Sequence, residues 1–121
     1  MKDVLLVGFG GMLGSILRYG VSLGSSKLFE TKFYLGTLSV NLLGSLLIGI
    51  LFAIFSRQHS QYSTLWLAGF CGGFTTFSTF SLDGLRLLKQ NQYLEFVSYA
   101  SISMLGGLGL CMLGYYLFHK G

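Results

Sequence analysis

Long apolar runs alternate with short polar stretches along the whole chain. A membrane-spanning helix needs about 20 mostly apolar residues, and four runs of this kind occur, at residues 4–23, 35–55, 65–88 and 93–118. The polar stretches between them are short, at residues 25–32, 57–63 and 89–92. Because these runs leave no room for a soluble domain, the pattern predicts an all-α integral membrane protein with one four-helix transmembrane domain over residues 1–121.

The third apolar run contains a segment that is poorly suited to an unbroken helix. Residues 72–81 read G-G-F-T-T-F-S-T-F-S, and adjacent Gly and β-branched Thr both lower helix propensity. A broken backbone at membrane depth survives only where protein or a water-filled cavity satisfies its polar groups. Such breaks form ion and substrate sites in transport proteins. We therefore expect a half-helix before Gly72, a non-helical turn over residues 72–75, and a second half-helix that runs to about Leu88.

Composition agrees with a membrane protein. The 121 residues are 52% hydrophobic and 10% charged, whereas about 25% charged residues is usual in soluble domains. The net charge is +4, but the eight Lys and Arg are scattered between the apolar runs, which is typical of membrane helix ends and does not predict nucleic-acid binding. Cys71 and Cys111 fall inside predicted spans without clustered His or carboxylates, so we expect buried apolar residues and neither a disulfide nor a metal site.

The basic residues give only a weak signal for orientation. With four spans, one side of the membrane would hold Lys2, Arg57 and Lys120, and the other Arg18, Lys27, Lys32, Arg86 and Lys89. The positive-inside rule needs a clear asymmetry to select one orientation. This near balance leads to the hypothesis that the chain inserts both ways and forms an antiparallel homodimer.

Two polar side chains inside the predicted spans need an explanation, because such groups are costly in a bilayer. Asn41 either makes a hydrogen bond between helices or lines an ion path as a donor. Arg18 is the one charge that we assign to the interior of the spans. It either extends to the interface or gives positive potential to a vestibule that concentrates anions. No carboxylate or His faces it on its own helix, which argues against a proton-coupled carrier.

Phenylalanines and hydroxyls in close alternation indicate where a small anion could pass. Phe74, Phe77 and Phe80 recur every three residues and would share one side of a helix. Such a stripe is ordinarily packing, but aromatic rings have a positive edge that an anion can approach. Hydroxyl donors follow nearby, at Ser78, Thr79, Ser81, Ser101 and Ser103. An ion that must also leave the pore is bound by many weak donors and not by one strong site. The carbonyls freed at a helix break suit a hard cation such as Na⁺.

Three segments resemble the Fluc family of fluoride ion channels, also called CrcB-like proteins. They are G-G-M-L-G-S-I-L-R-Y at 10–19, G-T-L-S-V-N-L-L-G-S at 36–45 and G-F-C-G-G-F-T-T-F-S-T-F-S at 69–81. The resemblance implies a dual-topology antiparallel homodimer with two pores in a bacterial plasma membrane. It further implies passive export of fluoride from the cytoplasm, which relieves fluoride toxicity. It also implies a structural Na⁺ at the dimer interface, held by main-chain oxygens of Gly72 and Thr75 of both subunits.

The same resemblance implies which side chains line the fluoride pore. The family's pore positions fall on Arg18, Asn41, Phe77, Ser78, Thr79, Phe80, Tyr99 and Ser103. Two departures stand out. Phe74 occupies a position where an aliphatic residue is common, so we assign it to packing. The glycine-rich stretch at 106–109 also carries fewer hydroxyls than the family's polar track on the last helix.

Two other functions remain possible from the residues alone. A small multidrug-type exporter also has four short helices and dual topology, but it needs an acidic residue deep in the first span, and only Asp3 is available at its end. A purely structural membrane subunit would use the broken helix for assembly. An enzyme is not expected, since the sequence offers no nucleophile–base pair and no metal-ligating cluster.

Overall fold

The computed structural model describes residues 1–28, 32–56 and 62–119, and this part of the chain is helical with short turns and no strand. Helix α1 is Lys2–Leu28 and α2 is Leu35–Phe55. The third helix, α3, starts with a wide π-helical segment, Thr64–Cys71, and continues directly into Gly72–Phe74. Helix α4 is Phe77–Lys89. Helix α5 is Tyr93–Phe118 and contains a π-helical segment, Ile102–Gly106.

Three of the described helices, α1, α2 and α5, are long and apolar enough to cross a membrane. The third predicted span, 65–88, is divided between α3 and α4. The predicted first loop, 25–32, is wrong in its first half, because α1 continues through Leu28 and Ser26 donates to the Leu23 carbonyl at 2.9 Å. Residues 29–31 and 57–61 of the predicted loops lie outside the described residues.

A tight turn after α4 brings α5 back against it. Asn91 takes a left-handed conformation with φ 58°, which Asn tolerates better than most residues. The Asn91 N–H donates to the Leu88 carbonyl at 3.1 Å, and the Gln92 N–H donates to the Leu87 carbonyl at 2.9 Å. These bonds satisfy the last carbonyls of α4, as at many helix C-termini, so the helix ends where the third predicted loop begins.

Helices α1 and α3 touch backbone to backbone through glycines. A Cβ on Gly14 would lie 2.8 Å from the Phe74 nitrogen, and one on Gly73 would lie 3.0 Å from the Gly11 Cα. A Cβ on Gly69 would meet the Gly10 Cα at 3.1 Å. Small residues at helix contacts permit this close approach in membranes. The contact fixes α3 against α1 along most of its length, down to the last turn before α4.

A cluster of aromatic side chains joins α4 to α2 and α5. Tyr34, Leu87 and Tyr99 are buried at its centre, with Phe33, Phe80, Phe96 and two leucines packed around them. The Tyr34 and Tyr99 rings lie 5.0 Å apart. The Arg86 guanidinium lies 5.5 Å from the centre of the Phe33 ring, a cation–π contact. The cluster positions α4 on the other two helices.

Candidate functional site

The backbone between α3 and α4 is extended at two residues, Thr75 and Thr76, with φ/ψ of −85°/157° and −152°/123°. The predicted turn over residues 72–75 is therefore wrong in position, since Gly72 and Gly73 are still helical. Gly73 packs against Gly11 of α1 within the helix, and β-branched threonines favour an extended backbone. That this interruption lies at mid-membrane depth stays a prediction.

The side-chain amide of Asn41 in α2 makes two hydrogen bonds to the backbone of the extended residue Thr76. Its Nδ2 donates to the Thr76 carbonyl at 3.0 Å, and the Thr76 N–H donates to its Oδ1 at 2.8 Å. The side chain thus replaces the backbone partner that an interrupted helix lacks. An amide nitrogen carries two N–H groups, and one of them has no partner among the described residues. The interhelical bond expected as one alternative is present, and a donor remains for a ligand.

Arg18 of α1 reaches the end of α3. Its Nε donates to the Gly73 carbonyl at 3.0 Å, in the last turn of that helix. A cation there also interacts favourably with the negative end of the helix dipole. Neither of the two roles expected for Arg18 from the sequence includes this contact. The hydrogen bond connects α1 to the interruption.

The carbonyls of Gly72, Phe74 and Thr75 at the interruption accept none of the turn, cap or side-chain hydrogen bonds made by the described residues. The neighbouring carbonyls are occupied: that of Cys71 accepts from both the N–H and the hydroxyl of Thr75, at 3.0 and 2.9 Å. Gly72 is exposed. Within the described ranges no group of three or more His, Cys, Asp or Glu could hold a metal. Main-chain oxygens such as those of Gly72 and Thr75 are ligands that a hard cation accepts, and a cation site at these two residues stays a prediction.

A cavity of about 340 Å³ opens beside the interruption. Asn41 and Ser45 of α2 line one side, and Thr75, Thr76 and Phe77 line the other. Ile48, Leu67 and Ala68 add aliphatic side chains to the lining, and none of the lining residues is charged.

Thr76 is the N-cap of α4, and its hydroxyl contacts the hydroxyls of two predicted pore residues. Its Oγ1 accepts from the Thr79 N–H at 3.2 Å and donates to the Thr79 hydroxyl at 3.2 Å. The Ser78 hydroxyl lies 3.2 Å from the same oxygen. Thr76 is not among the predicted site residues, although a Thr directly before a helical run is a recognisable N-cap signal.

A row of rings leads from this cavity to a second one. Phe77, which is 76% exposed, lines the first cavity. Its ring lies 5.7 Å from that of Phe80, which lies 4.9 Å from that of Tyr99. Tyr99 in turn lines a cavity of about 310 Å³ together with Lys32, Tyr34, Glu95 and Ser98. Three predicted pore residues therefore form one continuous aromatic connection.

Phe74 does not belong to this row, contrary to the stripe expected from its spacing. The interruption separates it from Phe77, and Phe74 is buried with its ring stacked on that of Phe70 at 6.0 Å. Its position agrees with the packing role assigned to it.

At the second cavity, the Tyr34 hydroxyl donates to Glu95 Oε2 at 3.1 Å. Burial raises the pKa of Tyr34 above its usual value of about 10, and the adjacent Glu95 carboxylate raises this pKa further. Tyr34 therefore stays protonated near neutral pH and remains a donor.

A buried carboxylate lies beside Tyr99, and sequence reasoning missed it. Asp83 is 4% exposed, accepts from the Tyr99 hydroxyl at 3.2 Å and is hydrogen-bonded to Thr37 of α2. The statement that Arg18 alone is charged within the spans is therefore wrong, because Asp83 falls inside the predicted span 65–88. An Asp within an apolar run was the signal that could have identified it.

Ser103 lies in the π-helical segment of α5. Its Oγ is buried and has no hydrogen-bond partner among the described residues. A buried hydroxyl without a partner is costly, so this group has the capacity to bind a ligand.

Comparison with known proteins gives one family. The family model described as CrcB-like protein, Camphor Resistance (CrcB), matches residues 5–115. The chain is 42% identical over 119 residues to the Fluoride-specific ion channel FluC of Leptospira interrogans serovar copenhageni, covering 96% of this chain and 94% of that one. It is 40% identical over 123 residues to the protein of the same name from Gloeothece citriformis, covering 100% of both chains. The Phocaeicola vulgatus protein of that name is 41% identical over 119 residues, covering 97% and 98%.

Proposed function

Since the chain belongs to the CrcB-like protein family, we propose that it forms a passive, fluoride-selective channel in the cell membrane. The family is one of ion channels and not of enzymes, in agreement with the sequence. The observation that carries the proposal is the aromatic row Phe77–Phe80–Tyr99, which joins two cavities and is flanked by neutral donors.

The donors in the first cavity and in the adjacent first turn of α4 suit a small anion that must lose its water. The free N–H of Asn41 and the hydroxyls of Ser78 and Thr79 are each weak donors, and the ring edges of Phe77 and Phe80 add positive potential without a fixed charge. Fluoride exchanges water for these groups one at a time, so no single site holds it strongly and it can move on. Tyr99 and the unpartnered Ser103 continue the donor set on α5.

Asp83 has a positioning role in this scheme. Its carboxylate accepts from the Tyr99 hydroxyl, which fixes the ring that packs against Phe80. Because Thr37 and Tyr99 both hydrogen-bond to this carboxylate, part of its negative charge is satisfied before an anion approaches.

The channel as proposed is an antiparallel homodimer with two pores, and the near balance of basic residues supports insertion in both orientations. Sodium would be held at the interface by the carbonyls of Gly72 and Thr75 from both copies. These oxygens suit the ion because no turn, cap or side-chain hydrogen bond of the described residues occupies them and Gly72 is exposed. A cation held by these carbonyls would supply positive charge beside the non-helical backbone and so stabilise it. The proposed physiological role is passive export of fluoride from the cytoplasm, which relieves its toxicity.

The test is fluoride efflux from proteoliposomes that contain the purified protein, with chloride as the competing ion. Phe77→Ile and Phe80→Ile should each lower fluoride flux without changing the oligomeric state. Phe9→Ile is the matched control, since Phe9 is an exposed ring on α1. Equal passage of chloride would contradict selectivity, and unchanged fluoride flux in both ring variants would contradict the aromatic path.

No structural observation favours the small multidrug-type exporter. That function needs an acidic residue deep in the first span, whereas Asp3 is exposed at the start of α1 and the buried Asp83 belongs to α4.

A further inference from the structure

The contact between α2 and α5 contains a hydroxyl where α5 has no side chain. Gly107 of α5 is buried, and a Cβ built on it would lie 3.2 Å from the Ser45 Oγ of α2. The Ser45 side chain thus fills the space that a side chain at position 107 would occupy. Further along the same seam a second glycine contact closes it, since a Cβ on Gly114 would lie 3.1 Å from the Ile50 nitrogen.

The Ser45 hydroxyl is available to a ligand. A helical serine commonly donates to the carbonyl four residues earlier, as Ser81 does to Phe77 at 3.1 Å. Ser45 makes no such bond, and its hydroxyl has no partner among the described residues. Ser45 also lines the 340 Å³ cavity beside the interruption, together with Asn41.

Ser45 shares its helix face and its cavity with a group that the proposed path already uses. Asn41 is four residues earlier on α2 and therefore on the same face. Ser103 precedes Gly107 by four residues on α5, and its Oγ is buried without a partner. Asn41 and Ser45 thus place two donors on one face of α2, and Ser45 meets α5 at Gly107.

We propose that Ser45 is a fluoride-binding residue of the conduction path, whose hydroxyl supplies across the α2–α5 seam the donor that Gly107 lacks. This inference rests on the proposed function and adds one residue to it. Fluoride at the first cavity accepts hydrogen bonds from Asn41 and Ser45 together, and Ser45 then presents it to α5. No proton is transferred, because the hydroxyl donates while remaining bonded to its hydrogen.

The first test is Ser45→Ala, measured as fluoride flux in proteoliposomes. We expect flux to fall about tenfold, which corresponds to about 1.4 kcal/mol at the barrier. Ser45→Thr keeps the hydroxyl and should retain most of the flux. Ser39→Ala makes the same chemical change at an exposed position of α2 and should leave flux unchanged. Thermal unfolding and size-exclusion profiles of all variants report whether a loss of flux comes from a loss of fold.

The second test moves the hydroxyl to the other helix. A Cβ at position 107 would lie 3.9 Å from the Ser45 Cβ, so Gly107→Ser fits once Ser45 is alanine. The double variant Ser45→Ala/Gly107→Ser should recover flux relative to Ser45→Ala alone, which a purely packing role for Ser45 would not produce. Wild-type flux in Ser45→Ala, with Phe77→Ile still impaired, would overturn the inference and leave the channel function intact. Absence of fluoride flux in the wild type would overturn both.

Discussion

Gly44 and Thr75 give a sharp test of how the interruption is packed. A Cβ on Gly44 of α2 would overlap Thr75 Cγ2 and lie 3.3 Å from Phe74 Cδ2. Forcing one methyl group into such a contact typically costs about 1–3 kcal/mol. Gly44→Ala should therefore destabilise the protein by this amount and displace the extended backbone that carries the site.

Thr75→Ser removes the overlapping atom and keeps the rest of the site. The remaining Thr75 Cβ would lie 3.7 Å from the new methyl group, which is ordinary contact, and the hydroxyl bond to the Cys71 carbonyl at 2.9 Å is retained. Loss of the methyl group by itself costs about 1 kcal/mol. We therefore expect the double variant to be about as stable as Thr75→Ser alone, so that the two changes are coupled by about 1–3 kcal/mol.

The measurement is a double-mutant cycle of unfolding in detergent, followed by the fluorescence of Trp66. This is the only tryptophan in the sequence, and it lies in α3 against Phe70 with ring centres 5.6 Å apart. Fluoride flux of the four proteins is the second readout and should follow the same order. Strictly additive effects, or a fully stable Gly44→Ala variant, would refute the packing described here.

Two further predictions concern the groups that hold the interruption. Asn41→Leu should leave the N–H and carbonyl of Thr76 without their partner. The free energy of unfolding should fall by about 1–3 kcal/mol for each of these groups that water does not reach. The same unfolding assay measures this, and a stability equal to that of Ser39→Ala would contradict it. If Na⁺ is held by the carbonyls of Gly72 and Thr75 as proposed, replacing it by a large organic cation should lower fluoride flux, because the interruption would lose a stabilising charge. That sodium dependence should survive Thr75→Ser, which keeps the main-chain oxygens, and should be lost in Thr75→Pro; its loss in the serine variant would contradict the assignment of main-chain ligands.

Helix content and much of the helix placement follow from the apolar pattern. Helices α2 and α5 have the bounds predicted from run length, because apolar length and flanking polar residues act locally. The existence of an interruption in the third run could also be read from its glycines and hydroxyls. The position of the interruption could not be predicted, since Gly73 packs against Gly11 of α1 while still helical, and this packing is a tertiary effect.

The features that sequence reasoning missed depend on contacts between helices. The π-helical segments in α3 and α5 carry no distinctive side-chain spacing, and such segments often occur at functional sites. The bond from Arg18 to Gly73 joins residues 55 positions apart. Asp83 was not predicted as a site residue because the run around it is apolar on average. A single charged residue in such a run nevertheless indicates a buried partner.

The glycine contact between α1 and α3 limits how this protein can evolve. Every glycine codon begins with two guanines, so any change at either base introduces a side chain or ends the chain. At Gly14 and Gly73 the smallest such side chain would collide with the backbone of the facing helix, and no rotamer change relieves a clash with backbone. These positions therefore tolerate silent third-base substitutions only, and a saturation mutagenesis map of the gene should show glycine alone at both.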